Sequence, residues 1–504
     1  MSRQDGFRIL LTSTGLIFAF PPFPTGFIAI IALVPFFFFL RGKKAGEAFK
    51  GGYIVGLLWG GGTIYWIGWA TGWGLLGVLL ILPLYFAFFA AIQAWLWKRL
   101  GNASLWTVPF VWTGIELLSS MGILSFPWNL LGYTQTYTPI MIQYASITGV
   151  YGVSFWIVLF NVLVYFLCTR KKKWPEFFYL FIIIFVLILL PWSYGYWTFN
   201  QKKEDTEEIK LSLIQGNIDP YVKWTPSFID SNFAVYRRLT WDVSEYRPDL
   251  IVWPETATPC YLRYRFPYLD YVKSQIDSLG IPLLTGSPDF ELSEEYGIKT
   301  YNGALLIYPN SWEIDRYYKM HLVPFSERVP FADKLPFLYD LSKKLDLDIG
   351  NFDPGDSVVV FNIQSSSMAK KVCFSVVICY ESIYPYVVRQ FVQKGAQFLL
   401  VITNDGWFGA TSGPYQHAQI AVFRAIENRL WVARCANTGI SEFIDPFGVV
   451  HAKTKLNEES VLTYSVFSGV EKTFFLKHAQ LLSIALFIVN GLILLVAIFK
   501  KRMD

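Results

Sequence analysis

Apolar residues are spread unevenly along the chain. Residues 1–200 are long apolar runs broken by short polar segments, residues 205–470 read as an ordinary globular sequence, and residues 479–499 are apolar again. A bilayer-spanning helix needs about 20 mostly apolar residues. Segments 7–21, 26–40, 51–70, 74–97, 104–122, 145–168, 175–195 and 479–499 meet or approach that length. The first two are short and flank 21-PPFPTG-26, a proline turn that a continuous helix does not tolerate. The pattern predicts an α-helical transmembrane bundle of eight spans: seven helices in a region 1–200, a water-exposed domain 205–470, and a last span 479–499.

Inside 205–470 the period changes. Runs 209–215, 249–253, 281–286, 303–308, 372–378 and 398–403 are short and β-branched and read as buried strands. Segments 263–279, 384–395 and 414–432 read as helices. Apolar strands alternating with helices imply a layered α/β domain, in which working groups gather just past the carboxyl ends of strands.

Charge then orients the chain. Cytoplasmic loops carry excess Lys and Arg, and basic residues cluster at Arg3 and Arg8, 41-RGKK-44 with Lys50, Lys98 with Arg99, 170-RKKK-173 and 500-KKR-502. The alternate loops 21–26, 71–73 and 123–144 contain no Lys or Arg. Both termini are therefore expected in the cytoplasm and the domain outside it. Only 16% of residues are charged, against about a quarter in soluble proteins, and the net charge of +5 sits at membrane edges. That excludes a nucleic-acid binder. Charges inside the spans are almost absent, which counts against a transporter. Glu116 is the main exception, and a carboxyl reaching the interface explains it as well as a functional one. The five cysteines show no CxxC spacing and the four histidines are scattered, so no metal or other cofactor is expected. The first apolar run lacks a small-residue cleavage site, so no cleavable signal peptide is expected.

The candidate chemistry lies at strand ends. Glu255 follows 251-IVWP-254, Lys319 sits in 316-RYYKMHLVPFSE-327, Cys379 ends the run 374–378, and 404-NDGWFG-409 ends the next strand. Each has a plain reading: a capping acid, a surface cation, a small buried hydrophobe. Together they can form one thiol acyl-transfer site. A cation lowers the thiol pKa, a carboxylate takes its proton, and the ammonium with the backbone N–H after the nucleophile holds an oxyanion.

Motifs 251-IVWPET-256, 319-KMHLVPFSE-327, 377-VICYES-382, 400-LVITNDGWFG-409 and 424-RAIENRLWVARCANTGIS-441 resemble the nitrilase superfamily over most of 208–470. With eight spans added, the whole chain resembles that superfamily's membrane-embedded lipoprotein N-acyltransferases. The resemblance implies an αββα sandwich with Glu255 as general base, Lys319 as oxyanion and thiolate stabiliser, and Cys379 as nucleophile. Glu327 matches the glutamate that orients the lysine, Tyr380 and Glu381 the residues after the nucleophile, and Trp224 a tryptophan near the acyl site. It further implies a ping-pong reaction on two lipids: a phospholipid acyl donor and a diacylglyceryl apolipoprotein acceptor. The expected setting is the inner membrane, with the catalytic domain periplasmic, close to the bilayer, and a monomer. Two other readings stay open: a membrane-tethered amidase or nitrilase with a small soluble substrate, and a transporter or receptor carrying an inactive nitrilase-like domain.

Overall fold

Where apolar runs break, so do the helices. The computed structural model describes residues 1–169, 174–201, 207–293, 297–332, 334–344, 349–365, 370–469 and 471–500. It divides into one unit of Met1–Gly68, Gly72–Lys202 and Thr473–Asp504, and another of Trp69–Thr71 and Lys203–Lys472. The basic cluster 170–173, residues 501–502, and positions 205, 206 and 470 at the expected domain edges lie outside the described residues.

The first unit is helical. Among the described residues, four helical segments are long and apolar enough to cross a membrane: Gly72–Ser119, Ala145–Thr169, Phe178–Phe199 and Phe474–Phe499. Helices also occupy Arg3–Ala19 and Ala45–Ile64, and two short pieces cover Ala29–Ala32 and Val34–Leu40. The break at Leu33 frees backbone groups that a bilayer cannot hydrate. Asn161 takes them up: its Oδ1 accepts from the Leu33 N–H and its Nδ2 donates to the Ala29 carbonyl, each at 2.8 Å. Gly56 lets Ala45–Ile64 approach its neighbour, since a Cβ there would lie 2.7 Å from Pro83 Cα; small residues give this close contact in membrane bundles. Glu116 departs from the interfacial reading. It is buried, and its Oε1 accepts from Trp112 Nε1 at 2.9 Å and from the Leu131 N–H at 2.7 Å. The carboxylate thus ties helix Val108–Ser119 to the segment that follows it. The last helix starts at Phe474 rather than 479, because Thr473 Oγ1 caps the Leu476 N–H at 2.9 Å.

The second unit holds two six-stranded sheets. In one, β1 (Glu208–Gln215), β2 (Leu250–Val252), β3 (Leu283–Ser293), β4 (Gly297–Ile307), β5 (Ile314–Tyr318) and β12 (Ser460–Phe467) run in the order β12-β1-β2-β3-β4-β5. In the other, β6 (Phe361–Gln364), β7 (Lys371–Ile378), β8 (Phe398–Thr403), β9 (Trp431–Ala436), β10 (Glu442–Ile444) and β11 (Val450–Lys453) run β11-β10-β9-β8-β7-β6. β1, β2 and β3 are parallel neighbours, as are β7, β8 and β9. Every residue of β8 is buried, which is why that run shows no alternation.

Helices Ile229–Asp242 and Phe266–Leu279 cover the first sheet through Phe233, Tyr236, Val272 and Ile276, packed on Ile251, Trp253 and Leu305. Helices Pro385–Gln393 and Ser412–Asn428 lie against the second. The sheets face each other: Cys435 Sγ on β9 is 3.5 Å from the Ile214 carbonyl on β1 and 3.4 Å from that of Val252 on β2. The result is an αββα sandwich. The helix expected over 414–432 ends at Asn428, where Arg429 turns left-handed (φ +50°), and the strand β9 begins at Trp431.

Candidate active site

Glu255 leaves β2 through Pro254 and is 6% exposed. Its loop is pressed against β3 at Gly286, where a Cβ would meet the Pro254 carbonyl oxygen and Thr256 N at 2.5 Å. Only glycine fits there. Asn302 Nδ2 donates to Glu255 Oε1 at 2.8 Å, and the Asn404 N–H beyond β8 donates to Oε2 at 2.9 Å. Both carboxylate oxygens are thereby aimed.

Lys319 follows β5 and is 1% exposed. Its Nζ lies 2.9 Å from Glu327 Oε1 and 3.4 Å from Glu255 Oε1. Asn302 Nδ2 also donates to Glu327 Oε1 at 2.9 Å, and the Val323 N–H donates to Oε2 at 2.8 Å. Burial alone would strip the proton from Lys319, but Glu327, Glu255 and Cys379 outweigh it and hold its pKa above the ordinary lysine value. The structure therefore gathers Glu255, Lys319 and Glu327 into one hydrogen-bonded cluster.

Cys379 stands at the end of β7 with φ +51°. A left-handed cysteine is a strained conformation that surrounding contacts must hold. Its carbonyl accepts from Ser382 Oγ at 2.8 Å and lies 3.2 Å from His417 Nε2. His417 Nδ1 meets Asp405 Oδ1 at 2.9 Å, and Arg434 Nη2 meets Asp405 Oδ2 at 2.5 Å. Burial would raise the Asp405 pKa, but Arg434 and His417 override it and keep the carboxyl well below the usual range. The thiol departs from expectation. A neighbouring cation was expected to lower its pKa, yet burial, then Glu255, push it up against the pull of Lys319. A thiol raised in this way needs a base before it can attack.

Glu381 is buried and binds both neighbouring strands' ends: Oε1 accepts from Tyr317 Oη and the Met320 N–H, each at 2.7 Å, and Oε2 accepts from the Ile378 N–H at 2.8 Å. It locks the lysine loop to the cysteine turn. Tyr380 is buried with its ring 5.3 Å from that of Tyr384. Trp224 lies on the loop after β1 and is 42% exposed. Sequence reasoning missed Asn302, His417, Arg434 and Lys223. The motifs 404–409 and 424–441 contain or flank two of the missed groups, whereas Asn302 carries no signal beyond standing at a strand residue before a glycine.

Comparison with known proteins gives two family matches: apolipoprotein N-acyltransferase N-terminal domain over residues 13–163 and carbon–nitrogen hydrolase over residues 210–472. A Geobacter metallireducens protein named apolipoprotein N-acyltransferase is 35% identical over 494 residues, covering 95% of this chain and 92% of that one. A Chlorobaculum tepidum protein of the same name is 35% identical over 520 residues, covering 98% and 97%. Among solved structures, Saccharomyces cerevisiae Nit3, a nitrilase-superfamily member, aligns with a TM-score of 0.39 at 18% identity, over 56% of this chain and 97% of its own.

Proposed function

The chain belongs to the apolipoprotein N-acyltransferase family, and we propose that it N-acylates lipoproteins through a thioester on Cys379. The observation that carries the site assignment is the buried cluster of Glu255, Lys319 and Glu327 at strand ends. In the first half-reaction Glu255 takes the thiol proton while sulfur attacks an ester carbonyl of a phospholipid. The Lys319 ammonium and the Tyr380 backbone N–H hold the tetrahedral oxyanion. Collapse breaks the ester C–O bond, Glu255 returns the proton to the leaving alkoxide, and a lysophospholipid departs. In the second, the α-amine of a diacylglyceryl-cysteine apolipoprotein attacks the thioester, Glu255 accepts an amine proton, and the C–S bond breaks. An amide forms and the Cys379 thiol is regenerated. Glu327 orients the lysine, Glu381 and Tyr380 fix the turn, and Trp224 contacts the acyl donor.

Both substrates are lipids anchored in a bilayer, which fits eight spans, an inner-membrane setting, a monomer, and a catalytic domain of about 205–470 on the periplasmic side. The absence of Lys and Arg from loops 21–26, 71–73 and 123–144 supports that orientation. A reporter active only outside the cytoplasm should work when fused after residue 200 and fail after residue 173 or at the C-terminus. An active fusion at 173 would reverse the topology.

The chemical test is intact-mass analysis of the full-length protein after incubation with phospholipid micelles. The expected product carries one acyl group, maps to the peptide containing Cys379 and is released by neutral hydroxylamine. An acyl group on another residue, or none, would sink the mechanism.

A further inference from the structure

Lys223 is a second buried ammonium near the base. It is 2% exposed, and among the described residues it forms no ion pair. A buried cation so placed is costly to keep. Its Nζ donates to the Thr256 carbonyl at 3.1 Å and to Thr256 Oγ1 at 2.5 Å. The same Nζ lies 5.3 Å from the centroid of the Trp224 ring. Thr256 immediately follows Glu255 and has φ +47°, a conformation that a β-branched residue adopts only when held there. One ammonium thus touches both the exposed tryptophan and the strained turn behind the base.

We propose that Lys223 is a positioning residue for Glu255: its ammonium pins the Thr256 turn to the loop carrying Trp224, and so holds the base in place for proton transfer. The inference rests on Glu255 being the general base. Burial pushes Lys223 down to about 8, with the Glu255 carboxylate pulling the other way, so the two groups feel each other. Glu255 is otherwise faced by Lys319 from the end of β5, Glu327 from the following loop, and Cys379 from the end of β7. The neutral Asn302 side chain and Asn404 N–H complete its surroundings, and Asp405 acts on Cys379. None of these links the base to Trp224.

The test follows thioester formation by the full-length protein in phospholipid micelles across a pH series. Lys223→Met should lower kcat about tenfold with KM within about twofold, because proton transfer rather than donor binding suffers. A carboxylate that loses a neighbouring cation is protonated more easily, so the acid limb of the rate should move up by about one pH unit. Lys223→Arg, which keeps the charge, should return the limb to its wild-type position. Lys223→Gln keeps a donor for Thr256 without the charge, and serves if the methionine variant does not fold; its limb should also move. An unmoved limb in the neutral variants, or an equal shift in the arginine variant, would overturn the proposal. Loading that survives in Glu255→Gln would overturn both this inference and the base assignment. An acid limb that Glu255→Gln removes, but that neither neutral Lys223 variant shifts, would overturn the Lys223 role alone.

Discussion

Cys379→Ala is expected to abolish acyl loading and acyl transfer together, with a fall of roughly 10^4-fold or more, as for loss of other covalent nucleophiles. The other thiols in the sandwich are engaged or badly placed. Cys373 sits within β7, where its Sγ donates to Asn362 Oδ1 at 3.2 Å and its N–H to Gln397 Oε1 at 2.8 Å. Cys435 is buried between the sheets against the Ile214 and Val252 carbonyls, and burial pushes Cys260 up to about 11. Cys373→Ser should therefore retain loading. Cys379→Ser is the stricter control, because it keeps the turn and replaces only the sulfur; it should also fail to load. Loss of loading in Cys373→Ser with loading intact in Cys379→Ala would move the nucleophile to the opposite end of the strand and end the assignment.

The strand ends were readable because parallel strands buried on both faces leave uninterrupted apolar runs, and the first polar residue after each run marks an exit. That rule found Glu255 and Cys379 without any partner geometry, whereas Lys319, after the half-exposed antiparallel edge strand β5, stood out only by its place before a proline turn. It could not find Asn302 or His417. Asn302 lies within β4, in a register position opposite Pro288, and only the folded sheet brings its amide to both carboxylates. His417 lies inside helix Ser412–Asn428, where a histidine on a buried face has no distinct pattern. The helix expected over 414–432 overran into the first two residues of β9 because 424-RAIENRLWV-432 continues helically spaced apolar positions, and the rest of β9 went unread because Arg434 is charged yet fully buried. A buried arginine is legible only once Asp405 and the Ile440 carbonyl are seen beside it. The sign of the thiol shift was likewise out of reach: sequence names a cation near sulfur, but burial decides the balance.

Lys319→Met should be as damaging to turnover as loss of the thiol, and unlike it should also destabilise the domain. The ammonium is the cation that both Glu255 and Glu327 contact, at 3.4 and 2.9 Å. Methionine of similar length leaves those two carboxylates buried without it, and removing one partner of a buried ion pair typically costs about 3–5 kcal/mol. In kinetics the oxyanion loses its main charge partner, worth roughly 10^2–10^3 in rate for one donor in comparable sites. Glu255 also loses the cation that lies 3.4 Å from its Oε1, so the combined loss should exceed either effect alone. Adding Glu327→Gln to Lys319→Met separates the two consequences. The amide replaces one stranded charge, so thermal unfolding in detergent should recover toward wild type, while thioester formation should stay absent. Recovery of loading in the double variant would mean that the lysine serves only to neutralise Glu327, and that something else holds the oxyanion.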